Sequence, residues 1–343
     1  MRPLILKGHT TPIKDLLFNY DNDLLFSAST DRYVTLWSSE YGERIGTYLH
    51  SAAVYTMSIT DDSKYLVTGD STGGIYIWEA STGTLLKKIE IECSNSIRSI
   101  KFNRDNNLFS FSYGGRKQES DTGIYIYNIN DVLKCSDTSK LKPIINIKSP
   151  DYDKLTKITW INNDSNIIAT SEKGNIYNFD VKDGKVLLKK NIHSQMIMDL
   201  DISKGEELLL TASKDGKSLV LDPDTFDIME TLYPDNPTRN INACRFSPFV
   251  ACEDEDKAKY HAFIAGGQES REVTTTHAKK GGFECLIYNI IDGTELGAIL
   301  GHFGPINALA ITNDGELLAS GAEESSVRVH RINNDEYNSL KSK

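Results

Sequence analysis

Short runs in which apolar and polar residues alternate fill the chain, and Gly, Asn, Asp or Ser bound most of them. Alternation with period two over roughly four to eight residues marks a strand with one buried face. The first group of runs is Ile13 to Phe18, Leu24 to Ser29, Val34 to Trp37 and Ile45 to Leu49. The plan recurs at Val54 to Ile59, Tyr65 to Gly69 and Ile75 to Trp78. Less regular groups begin at Ile97, Leu155 and Ile241, and regular ones follow His193 and His302. Four strands repeating every 40–45 residues or so are the blades of a β-propeller.

Polar residues at fixed phase explain why the repeat keeps its length. Trp37 follows His9 by 28 positions, and Trp78 follows His50 by the same interval. In the first blade Ser27 and Asp31 fall between them, so the spacing predicts a buried relay of His9, Ser27, Asp31 and Trp37. A buried imidazole is tolerable when both ring nitrogens have partners. The fifth blade keeps His193, Thr211 and Asp215 but has Leu221 in the Trp place, and the seventh keeps His302, Ser320 and Glu324. In the second blade Thr72 stands where the first has Asp31, which predicts a weakened relay.

The two ends complete each other. Leu4-Ile5-Leu6 reads as a strand preceding the first repeat, whereas the last group supplies only three, ending near His330. Seven blades result if residues 1–7 supply the outer strand of blade seven, which closes the ring and removes open sheet edges. The propeller then spans 1–332 and leaves 333–343 as a short polar tail. Insertions are expected in blade three (about 114–123 and 131–142) and in blade six, one acidic at Glu253 to Asp256 and one from Gln268 to Gly282.

Composition narrows the function classes. No run of eighteen apolar residues exists to cross a membrane as a helix. Five cysteines without a CxxC pair argue against a disulfide framework or a zinc site and fit a reducing cytosol. A net charge of −10 weighs against direct nucleic-acid binding. Four of the seven histidines are phased to blades, and the Gly pairs sit at strand ends with no phosphate-binding loop leading into a helix. Neither catalytic residues nor a cofactor or metal site emerges.

The phased blades resemble the WD-repeat family, although the Trp-Asp dipeptide itself never occurs. Within it, Met1-Arg2-Pro3 with Leu6-Lys7-Gly8-His9, Gly266-Gly267-Gln268-Glu269 with Val273 to Thr276, and Gly301-His302-Phe303-Gly304-Pro305-Ile306-Asn307 resemble the subunit i family of the eukaryotic translation initiation factor three complex. That resemblance implies an all-β, seven-bladed WD-repeat propeller and a non-catalytic, cytoplasmic scaffold. It also implies a C-terminal segment of the large propeller subunit b as partner, subunit g as neighbour, and the small ribosomal subunit reached through the complex. The fold alone equally allows a WD-repeat adaptor in signalling or ubiquitin transfer. Acidic residues gather from Asp215 to Asp235 against the single basic Lys217. A docking face for a basic helical segment is therefore expected across blades five and six, with Asp215, Asp222, Asp224, Asp235, Val273 and Thr274 among its residues.

Overall fold

The computed structural model describes residues 3–91, 96–114, 122–234, 239–250, 260–268 and 282–332. Seven four-stranded antiparallel sheets stand side by side as blades, and in six of them the strands pair in chain order. The seventh has the order β1-β28-β27-β26, where β1 is Leu4–Leu6, β26 Ile306–Ile311, β27 Leu317–Ala322 and β28 Val327–Arg331. Leu4 pairs with Val329 and Leu6 with Val327. The ring thus closes through the first strand of the chain, as the surplus strand at one end and the deficit at the other imply.

The apolar faces of neighbouring blades pack on each other, so each hydrophobic cluster belongs to an interface. The cluster at the closure joins Leu6, Ala308, Ala319, Val327 and Val329 of blade seven to Ile13, Leu16, Leu25 and Trp37 of blade one. Another joins Phe26, Leu36 and Tyr48 of blade one to Val54, Met57, Leu66 and Trp78 of blade two. Small residues follow the relay hydroxyl because the next blade's innermost strand begins there. A Cβ on Gly69 would lie 2.6 Å from Ile97 Cγ2, and one on Gly321 would lie 2.5 Å from Ile13 Cγ2.

The second insertion of blade three contains a helix, α1 (Ile129–Lys134), capped by the Asn128 side chain, which accepts from the N–H groups of Asn130 and Asp131. Ile129 and Val132 are buried against the blade. Six residues are too few for a helical period to stand out in the sequence.

Two faces follow from the topology. The upper face carries the turns between second and third strands and the links from one blade to the next. The lower face carries the hairpins between first and second and between third and fourth strands.

Candidate functional site

Four histidines sit under the upper face. His9 Nδ1 is 2.8 Å from Asp31 Oδ2, and Nε2 is 2.7 Å from Ser27 Oγ. The Trp37 indole N–H donates to the same hydroxyl at 2.8 Å. Since an ionised carboxylate only accepts, the imidazole donates from Nδ1 and accepts at Nε2. The proton order therefore runs Trp37 to Ser27 to His9 to Asp31. Asp31 also accepts from the N–H groups of Thr10 and Tyr33. Burial works to raise its pKa, but these donors outweigh burial and hold it below the usual carboxylate range.

His193 repeats the arrangement with Asp215 at 2.9 Å and Thr211 at 2.8 Å, and His302 does so with Glu324 at 2.9 Å and Ser320 at 2.8 Å. Blade two departs from the others. His50 bonds Thr68 Oγ1 through Nε2 at 2.6 Å, but its Nδ1 turns to the carbonyl of Tyr48 at 3.0 Å. The carboxylate has moved two positions back to Asp70, which accepts from Thr72 N–H and hydroxyl, Gly74 N–H and the Tyr76 hydroxyl. The relay expected to be weakened at Thr72 is rerouted instead. Tyr76 lies edge-on to His50 at 4.6 Å, and burial pushes the His50 pKa down to about 4, keeping the ring neutral.

Blade four has no histidine. Its upper turn is held by Asp153, which accepts from Tyr177 and Asn175 at 2.8 Å each. Trp160 donates to the Lys101 carbonyl at 3.2 Å and packs on the innermost strand.

These partners set an expected order of stability. Asp31→Ala strips acceptors from His9, Thr10 and Tyr33 and should cost roughly 1–3 kcal/mol. Thr72→Ala removes one hydroxyl donor to Asp70, which keeps its other partners, and should cost roughly 0.5–1.5 kcal/mol. Urea unfolding of the two variants measures the difference; equal losses would contradict the relay energetics.

The acidic residues of blade five do not form one patch. The Asp215 carboxylate is only 5% exposed and accepts from His193, Ser194 N–H and Lys217 N–H. It lies under the upper face, and its pKa is held down at about 2, burial being outweighed by these donors. Asp222 and Asp224 lie beyond β20 (Ser218–Leu221), in the lower-face turn before β21 (Ile228–Leu232). A strand advances about 3.3 Å per residue, so the two groups stand on opposite faces. Linear proximity misled because a strand carries the chain across the ring. Asp215, expected both in the relay and in the docking face, has its lone pairs engaged by these donors and is not available for docking. Asp235, Val273 and Thr274 lie outside the described residues.

The lower half of blade five does present a mixed surface. Asp222 accepts the N–H groups of Asp224 and Thr225, and fixing this turn leaves Asp224 and Asp227 exposed. Lys190 of β17 (Val186–Asn191) reaches Asp227 at 2.7 Å. Beside them Ile228 is 51%, Met229 60% and Leu187 57% exposed. Sequence reading missed these apolar residues because an outer strand of a propeller alternates like any other.

The channel is lined by the innermost strands, whose unpaired edges are stitched blade to blade. Met57 N–H donates to Asp15 at 3.0 Å, Ile100 N–H to Thr56 at 3.1 Å, and Ile158 N–H to Ser99 at 3.1 Å. Lys157 and Asp199 join blades four and five at 3.5 Å. The N–H groups of Cys244 and Phe246 donate to Asp199 and Asp201, and Arg245 donates to Asp199 at 2.6 Å. Asn242 and Asn307 donate to the Ile306 and Ile13 carbonyls at 3.2 Å each, completing the circle. Among the described residues no three His, Cys, Asp or Glu groups are placed to hold a metal ion. Burial pushes the Cys244 and Cys285 thiols up, the latter to about 12, which makes them poor nucleophiles.

Comparison with known proteins settles the family. The family model EIF3I matches residues 1–342. The chain belongs to the EIF3I family. Relatives named eukaryotic translation initiation factor 3 subunit I include those of Nematostella vectensis, 33% identical over 331 residues, and Schizosaccharomyces pombe, 32% over 333. The Homo sapiens protein of that name is 31% identical over 332 residues. In each case 96% of this chain and 96% of the relative are covered. Members of the EIF3I family are translation initiation factor subunits by name, and the resemblance on motifs agrees with the match over the whole ring. No described helix is long and apolar enough to cross a membrane.

Proposed function

We propose that the protein is a non-catalytic scaffold subunit of eukaryotic translation initiation factor 3, acting in the cytoplasm. The full-length match to the EIF3I family carries this reading. A ring stitched at every blade interface suits a subunit whose work is to hold others in place. In this role it binds a C-terminal segment of subunit b, with subunit g as a neighbour. Through the complex it supports assembly on the small ribosomal subunit and scanning.

The lower half of blade five is the docking surface for the subunit b segment. A basic helix laid there meets the exposed carboxylate of Asp224 beside the half-buried Asp222, while its apolar face covers Ile228 and Met229. Rim charges set association rate and specificity, and apolar anchors set the lifetime of the complex. The side chains of Asp224 and Met229 are exposed, so changing both should leave the ring intact. Asp224→Lys with Met229→Asp should reduce capture of subunit b by roughly tenfold or more, with an unchanged melting curve. Undiminished capture by the folded double variant would move the interface elsewhere on the ring.

A further inference from the structure

The upper mouth of the channel opens into a cavity of about 660 Å³ on the face opposite the docking surface proposed above. Lys14, Arg98, Lys157 and Lys214, from blades one, three, four and five, line it, and no described carboxylate does. Counter-charges stand behind this ring. Glu323 is 3.6 Å from Lys14, Glu172 pairs with Arg98, and Asp199 is 3.5 Å from Lys157. Deeper in the channel Asp15, Asp199 and Asp201 face Lys101, Lys157, Lys204 and Arg245, so cations outnumber carboxylates there too. Lys101 makes no ion pair among the described residues, and burial and then Arg245 push its pKa down, as expected where negative charge is short. A cationic pit in a chain of net charge −10 is a local feature, and low-dielectric walls focus its field outward.

The rest of the wall combines polar groups (Ser71, Ser96, Thr156, Asn242 and Asn307) with an adaptable apolar patch. Tyr55, Met196 and Met198 line the same cavity. Methionine thioethers repack around differently shaped side chains. Cations with an adaptable apolar wall suit a chain that carries both carboxylates and an apolar side chain. They suit a nucleic acid poorly, because the net negative charge of the protein opposes a long phosphate backbone. We propose that the upper channel mouth binds an acidic peptide segment of a partner protein, its carboxylates on Lys14, Arg98, Lys157 and Lys214 and one apolar side chain against Met196 and Met198.

The test uses the full chain and fluorescence polarisation at low salt. The probe is a blocked, labelled peptide of glutamates and glycines with a single leucine. The protein should bind it, and affinity should fall steeply as salt rises. Lys14→Ala with Arg98→Ala should weaken binding by about tenfold or more, whereas Lys185→Ala, the loss of one charge on a lower-face turn, should leave it unchanged. A matched melting curve for the double variant separates lost binding from lost fold. Replacing the leucine by glycine should also weaken binding. No binding by the unaltered protein, equal binding by the double variant, or tighter binding of oligouridylate than of the peptide would overturn the proposal.

Discussion

Deleting residues 1–7 should lower the thermal midpoint by roughly 5–10 °C and make the protein prone to associate. Leu6 is buried in the cluster shared by blades seven and one, with Leu4 packed at its margin. Burial of such side chains contributes about 1.5–3 kcal/mol each, less for the half-buried Leu4. The deletion also leaves the Val327–Arg331 strand without its partner at an open edge, where another chain can pair. Calorimetry and light scattering measure both effects. A truncated chain that melts like the full one and stays monomeric would mean that the N-terminal strand is dispensable for closure.

Arg245→Leu should cost about 3 kcal/mol, because it removes one partner from a nearly buried cluster of charges. Arg245 donates to Asp199 at 2.6 Å, and the Asp199 side chain is 5% exposed. Burial raises the Asp199 pKa, but Arg245 and Lys157 overcome burial and hold it down. Asp201 keeps a raised pKa through burial even with Arg245 nearby. Without the guanidinium both carboxylates lose their main counter-charge. Adding Asp199→Asn should recover part of the loss, since the amide oxygen can still accept from Cys244 N–H. Additive losses in that double variant, measured by urea unfolding, would show that the pair is not coupled.

Much of the ring was legible because a propeller repeats its constraints. The interval from His9 to Trp37 recurs from His50 to Trp78, and such a relay forms only when strand lengths and turns keep phase. The surplus Leu4–Leu6 and the three-stranded last group could be matched by counting. Blade two resisted because the Tyr48 carbonyl takes the His50 ring nitrogen while Asp70 holds the turn, and chemistry that moves to the backbone or by two positions leaves no spacing signature. Blade four resisted for the same reason, its anchor being Asp153 in place of a histidine.

The site was less legible than the fold. Asp215 and Asp222 look adjacent in sequence, yet a strand separates them by the height of the ring, and Asp222 and Asp224, not Asp215, share a face with Ile228 and Met229. The basic channel mouth was invisible as well. Lys14, Arg98, Lys157 and Lys214 come from four blades and meet only because the innermost strands converge on one axis.

Affinity purification of the tagged protein from cell extract, with its companions identified by mass spectrometry, tests the central claim most directly. The proposed scaffold role predicts stoichiometric recovery of the other initiation factor 3 subunits, subunits b and g foremost, with the small ribosomal subunit at lower salt. Recovery of kinases, receptors or a ubiquitin-ligase core in their place would contradict it.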